Sequence, residues 1–139
     1  MEEIGHIPAK KSLGQHFLTN PQVCDSMVEA GNIQAGDHVL EVGPGTGMLT
    51  RALLAKGARV TAIEADIRAV EILHTTFREA CETGQLSVLH KDIRETTLQK
   101  LGLTPHEYKA IANIPYYISG MLFRTFLAGD CQPNTLVFL

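Results

Sequence analysis

"HVLEVGPGTGMLTRALLAKG", residues 38–57, is the stretch on which the fold turns. Its first five residues, His38 to Val42, are an apolar run of the length and branched character of a buried strand. Three glycines follow at G-x-G-x-G spacing, Gly43, Gly45 and Gly47, and "MLTRALLAK" after them is helical in pattern and closed by Gly57. A strand, a glycine-rich turn and a helix in that order open a βαβ unit. The glycines let the backbone turn tightly and approach a ligand closely.

The alternation continues outward. "RVTAIE" (Arg59–Glu64), "LSVLH" (Leu86–His90), "YKAIA" (108–112) and "TLVFL" (135–139) read as further strands. Asn20 and Pro21 read as a cap and first helical residue opening a helix through about Ala30. Residues 66–81 read as one helix whose Ile67, Val70, Ile72, Leu73 and Phe77 include an apolar face. A short helix is expected around 97–101, and Ser119 is positioned to cap another through Leu127. Strands alternating with helices predict an α/β fold: a mostly parallel sheet with helices on both faces. Such sheets bind ligands beyond the carboxyl ends of their strands, which points to Gly43, Glu64, Asp92 and Asn113. The last residue, Leu139, falls inside an apolar run, so the sheet is expected to be interrupted at its fifth strand.

A chain of 139 residues suffices for one domain with a real core. The formal net charge of −3 does not advertise nucleic-acid binding, so an RNA surface must be local or supplied from elsewhere. Lys10-Lys11 is the one basic pair near a functional-looking stretch, and a pair this small is more often simply solvated. Cys24, Cys81 and Cys131 are odd in number and widely spaced, which suits buried thiols in a reducing compartment. His106 opens "HEYKA" without the second histidine of a zincin helix, and no metal is expected. The N-terminal "MEEIGHIPAKK" is polar, neither signal peptide nor membrane span, so cytoplasm is the default.

The strand ends carry the chemistry. A dinucleotide site calls for G-x-G-x-x-G and free N–H groups for pyrophosphate. Here the spacing differs, Pro44 stands between two glycines and the acid Glu41 precedes them, which favours a cation. S-adenosylmethionine carries an ammonium and a sulfonium and no phosphate, so it fits better than NAD. A glycine turn with no ligand is the plainer alternative. Glu64, 21 residues after Gly43, can accept from both ribose hydroxyls of either cofactor, or merely sit as an exposed acid beside Asp66, which is suited to capping the next helix. Asp92 can accept from an adenine amine with Ile93 against the ring, or only cap a turn.

"NIPY", Asn113 to Tyr116, fits methylation of an exocyclic adenine amine, whose lone pair is delocalised into the ring. The Asn113 side-chain oxygen and the Ile114 carbonyl can accept its two N–H groups, Pro115 fixes that carbonyl, and Tyr116 can stack on an extruded base. A strand–helix turn with core tyrosines is the alternative, and Tyr117 reads as packing.

"KKSLGQHFL", "EVGPGTGMLT", "IEAD", "KDI" and "NIPYYIS", in this order and spacing, resemble the rRNA adenine dimethyltransferase family over about residues 10–139. The resemblance implies a Rossmann-like class I S-adenosylmethionine-dependent methyltransferase domain over 21–139, with residues 1–20 as a cofactor-covering segment. Gln15, His16 and Leu18 would lie over the cofactor. Gly43 would border its methionine part, Glu64 its ribose, and Asp92 with Ile93 its adenine, and Glu41, Gly45 and Ala65 would also be cofactor-binding. Asn113, Ile114, Pro115 and Tyr116 would face the target base. Where many members have asparagine, this chain has His16, and either can hydrogen-bond.

The implied reaction is N6-dimethylation of two adjacent adenosines in the 3′-terminal hairpin of small-subunit (16S) rRNA during ribosome biogenesis. The implied partner is the pre-30S subunit, and a monomer without metal or membrane is expected. Family members continue into further strands and a small helical RNA-binding domain, neither of which this chain contains. The rivals are the large-subunit rRNA methylases of antibiotic resistance, a non-catalytic RNA-binding assembly factor on the same fold, and an NAD-dependent oxidoreductase, which the glycine spacing and "NIPY" disfavour.

Overall fold

The computed structural model describes residues 19–139 apart from Pro115 and the side chain of Tyr116. Five parallel strands, β1 (His38–Val42), β2 (Arg59–Glu64), β3 (Leu86–His90), β4 (Lys109–Ala112) and β5 (Thr135–Phe138), form one sheet in the order β3-β2-β1-β4-β5. The order reverses between β1 and β4, where Val42 stands opposite Ala112. This is the switch point at which such sheets open a crevice. With helices on both faces, the chain has the Rossmann-like class I methyltransferase fold.

Side chains alternate across the sheet with a period of two. Val39, Val60, Ala62, Leu86 and Ile111 pack on one face with α1 (Pro21–Ala30), α2 (Met48–Ala55) and α3 (Ile67–Thr76), through Met27, Leu53 and Leu73 among others. Leu40, Val42, Ile63, Ala110 and Ala112 face the other way, against α5 (Tyr116–Ala128) and the segment before β4, through Leu122, Phe126 and Leu101. Burial on both faces explains why the strands read as nearly continuous apolar runs.

Most element ends follow their sequence signals. Asn20 accepts from the Gln22 N–H at 2.9 Å with Pro21 at the first helical position. Gly57 follows the cap of α2 with φ +85°, where its backbone sits without a side-chain clash.

Three readings are corrected. Residues 66–81 are not one helix: α3 stops at Thr76, Phe77 leaves the helical region (φ −115°, ψ 39°), and α4 (Arg78–Thr83) follows. Thr75 and Thr76 are weak helix formers, Thr75 bonds back to the Glu71 carbonyl, and the break lets the buried Phe77 reach the core. Ser119 caps nothing, since α5 already begins at Tyr116, where a preceding proline suits a helix start. The short helix expected around 97–101 is present as a 3-10 helix, Leu98–Leu101, and a second, unexpected one covers Ile93–Glu95. β4 and β5 are each one residue shorter than read, β4 starting at Lys109 and β5 ending at Phe138.

Candidate cofactor and target-base site

The carboxyl ends of β1, β2, β3 and β4 lie side by side, and each supplies one residue of the candidate site. After β1 the chain enters the glycine turn with Gly43, Gly45 and Gly47 all at positive φ (75°, 59° and 98°). A side chain is strained in that region whatever the space around it. At Gly43 there is also no space, because a Cβ would stand 2.7 Å from the Asn113 carbonyl oxygen. The glycine turn of β1 and the Asn113 segment of β4 are therefore in van der Waals contact across the switch point.

Glu64, the last residue of β2, ties this turn down. Its Oε1 accepts from the Gly45 N–H at 2.9 Å and its Oε2 from the Asp66 N–H at 3.0 Å. The side chain is buried, which raises its pKa, and backbone N–H groups of Asp66, Gly45 and Ala65 pull against that rise. A carboxylate has about four lone-pair sites, so beside three backbone donors a hydroxyl group can still add to this arrangement. A cradle that admits no Cβ beside an acid aimed at it suits the methionine and ribose parts of S-adenosylmethionine.

Glu41 is placed differently from Glu64. Its position in the alternation puts it on the face of α2, where its Oε1 accepts from the Thr50 hydroxyl at 2.6 Å, and it is 1% exposed. Burial, with the neighbouring Glu64 adding to it, pushes its pKa up to about 8, so near neutrality it is a protonated acid beneath the turn. In that state it offers hydrogen bonds and no negative charge.

After β3, Asp92 caps the turn Ile93–Glu95, its Oδ1 accepting from the Arg94 N–H at 2.9 Å. The Arg94 guanidinium closes on the same carboxylate, with Nη2 donating to Oδ2 at 2.6 Å, and holds its pKa below the usual range. Ile93 is buried, against the second face of the sheet. Asp66 repeats this pattern: it caps α3 and its carboxylate takes the Arg68 guanidinium, also at 2.6 Å.

After β4, the Asn113 N–H donates to the Val42 carbonyl at 3.2 Å, which fixes it beside β1. Asn113 is 9% exposed and Ile114 3%. Tyr117 is 55% exposed, so its reading as a packing residue is corrected; the first turn of α5 carries it outward. Gln15, His16, Leu18, Pro115 and the Tyr116 side chain, like Lys10 and Lys11, lie outside the described residues.

The structure thus brings Gly43, Gly45, Glu64, Asp92 and Asn113 to one edge of the sheet and sets Glu41 below them. Sequence reading missed the two arginines. Their signal was present, since "DIR" occurs twice, at 66–68 and 92–94, each time just past a strand. Among the described residues no cluster of three or more His, Cys, Asp or Glu could hold a metal, and no helix is long and apolar enough to cross a membrane.

Comparison with known proteins points the same way. The family model for ribosomal RNA adenine dimethylase matches residues 7–137. A "Ribosomal RNA small subunit methyltransferase A" of Dehalococcoides mccartyi is 34% identical over 133 residues, 96% of this chain and 45% of the relative. The mitochondrial ribosomal RNA small subunit methyltransferase of Arabidopsis thaliana is 41% identical over 120 residues, 86% of this chain and 30% of the relative. Among solved structures, a dimethyladenosine transferase from Plasmodium falciparum superposes with a TM-score of 0.70 at 31% identity, over 88% of this chain and 43% of that one. The chain spans less than half the length of these relatives.

Proposed function

Because this chain belongs to the ribosomal RNA adenine dimethylase family, we propose that it is the cofactor- and base-binding part of an enzyme that dimethylates N6 of two adjacent adenosines. The target is the 3′-terminal hairpin of small-subunit rRNA, met on the pre-30S particle in the cytoplasm. The observation that carries this reading is the series of strand ends. Glycine turn, ribose acid, base acid and amide follow one another along β1, β2, β3 and β4, and the turn and the amide segment touch at the switch point.

S-adenosylmethionine, when bound, supplies an electrophilic methyl on a sulfonium that is already a good leaving group. The chain's residues bind and position. Gly43 and Gly45 would receive the methionine part, Glu64 with Ala65 the ribose, and Asp92 with Ile93 the adenine. Asn113 and the Ile114 carbonyl would accept the N–H groups of the target amine and hold its lone pair toward the methyl, while Tyr116 stacks on the base. Positioning and polar stabilisation of a developing positive amine then lower the barrier without a general base, because the amine loses its proton after attack. Gln15, His16 and Leu18 would close over the cofactor, and residues 1–20 serve as that cover.

Transfer of labelled methyl to undermethylated small ribosomal subunits tests the reading, with large-subunit rRNA alongside and nucleosides analysed. Dimethyladenosine in small-subunit rRNA is expected, and Asn113→Ala should abolish it while cofactor binding persists. Methylation of the large-subunit RNA alone would move the chain to the resistance branch. An Asn113→Ala chain as active as the wild type would remove the proposed chemistry.

A further inference from the structure

We propose that Arg94 is a cation released by cofactor binding: it holds Asp92 while the adenine subsite is empty, and turns to a phosphodiester of the target RNA once an adenine amine takes that carboxylate. This rests on the reading of Asp92 given above. A carboxylate has about four lone-pair sites. On Asp92 three N–H groups of one residue crowd both oxygens. Oδ1 accepts from the Arg94 backbone N–H at 2.9 Å, Oδ2 accepts from Nη2 at 2.6 Å, and Nε shares its single hydrogen between the two at 3.0 and 3.1 Å. An incoming amine must therefore compete with these donors. The backbone N–H belongs to the turn Ile93–Glu95 and stays, so the guanidinium is the group that yields.

The pair is built to open. The Arg94 side chain is 41% exposed and that of Asp92 20%, and an exposed ion pair holds its partners only weakly. The repeat of the motif shows the contrast in its acid: the Asp66 side chain is 1% exposed beneath a 30% exposed Arg68, and the Asp66 backbone N–H supports Glu64, so that pair is seated deeper, under the ribose acid. Arg94 instead lies at the surface, within electrostatic range of Tyr117. Tyr117 is itself exposed and follows directly on the segment assigned to the target base. An exposed guanidinium and an exposed aromatic ring on one side of the site fit an RNA strand, with the cation on phosphate and the ring on a base face. Glu95 is the nearest rival for the freed guanidinium, and pairing with it would produce no gain in RNA contact.

The test measures the salt dependence of binding between the whole chain and an RNA hairpin bearing two adjacent adenosines, with and without saturating S-adenosylhomocysteine. One added phosphate contact steepens the slope of log K against log salt by about 0.7–0.9. The expected result is that steepening in the wild type and in Arg94→Lys, and none in Arg94→Gln. S-adenosylhomocysteine should also bind Arg94→Gln at least as tightly as the wild type, because a competitor has gone. An unchanged wild-type slope, a retained change in Arg94→Gln, weaker cofactor binding by Arg94→Gln, or no hairpin binding in either state would each overturn the proposal. Asp92→Asn separates the two readings. If it binds S-adenosylhomocysteine undiminished, the adenine subsite itself is wrong; if it binds less and the wild-type slope stays flat, only the release of Arg94 is.

Discussion

The α-carbon of Gly43 faces the carbonyl oxygen of Asn113 so closely that a single methyl group between them would stand 2.7 Å from that oxygen. The contact joins the two halves of the sheet at their switch point, the glycine turn after β1 to the amide segment after β4. Under the proposed function donor and acceptor would share this one wall, whose spacing is set by backbone and not by side chains that could adjust.

Gly43→Ala tests that wall. The substitution combines a side chain at φ +75° with an overlap against backbone, so about 2–4 kcal/mol of stability should be lost. Cofactor affinity should fall as well, since β1 and β4 can separate only by opening the crevice. Chemical denaturation together with calorimetric titration of S-adenosylhomocysteine measures both. Unchanged cofactor affinity in a destabilised chain would mean that the turn is structural only.

Glu41 gives the chain a pH dependence of known sign. Its folded pKa, about 8, lies above that of an unfolded carboxyl, so the folded chain keeps a proton that the unfolded chain gives up. Stability contributed by the protonated acid is complete below the unfolded value, near 4.5, and declines as pH rises toward 8, by up to about 1.4 kcal/mol per unit. Glu64, also raised, adds a slope of the same sign. Glu41→Gln keeps an acceptor for the Thr50 hydroxyl and cannot ionise. Its unfolding free energy, measured from pH 5 to 9, should fall less steeply than that of the wild type and exceed it at the alkaline end. Parallel curves would show that Glu41 is ionised in the folded chain.

How much of this was legible follows from the range of each interaction. The five strands and the four strand-end residues were readable, because burial on both faces leaves continuous apolar runs and the turn chemistry is local. The break at Phe77 was not: apolar spacing carries on through it, and only the three-dimensional position of Gly47 and Leu73 shows why Phe77 must turn inward. Glu41 and Glu64 looked alike as acids near a glycine turn. One ends up under α2 and one beside the turn, because they sit on different strands at different heights, which neither neighbour in sequence reveals. The pairing of Asp92 with Arg94 was within reach of the sequence, since it spans two residues and occurs twice.

The packing around Gly47 predicts a coupling. A Cβ there would lie 2.6 Å from Phe77 Cε2 and 2.8 Å from Leu73 Cδ2, with φ at +98°. Gly47→Ala should cost about 2–4 kcal/mol, part steric and part conformational. Phe77→Leu relieves the overlap with the ring, leaving that with Leu73, and also removes the ring under the Arg51 guanidinium, 5.2 Å from its centroid. The double variant should therefore be more stable than the sum of the single losses predicts, yet less stable than Phe77→Leu alone. Strict additivity in denaturant unfolding would mean that the Phe77 ring contributes nothing to the cost at Gly47.

Tyr108 offers the converse test, a loss of stability that should leave the site alone. Its ring is 1% exposed and its hydroxyl donates to the Cys131 carbonyl at 2.6 Å, tying the start of β4 to the turn that leads into β5. Burial raises the pKa of that hydroxyl far beyond neutrality, so it remains a donor throughout the working range. Tyr108→Phe keeps the ring and leaves a buried carbonyl without its donor, at a cost of about 1–2 kcal/mol. The tie lies at the amino end of β4, whereas Asn113 lies beyond its carboxyl end, so the variant should bind S-adenosylhomocysteine within about twofold of the wild type, less than a full hydrogen bond's worth. Denaturant unfolding and calorimetric titration read the two effects separately. A drop in cofactor affinity matching the loss of stability would show that β4 moves as a unit, and that the site feels the anchoring of both its ends.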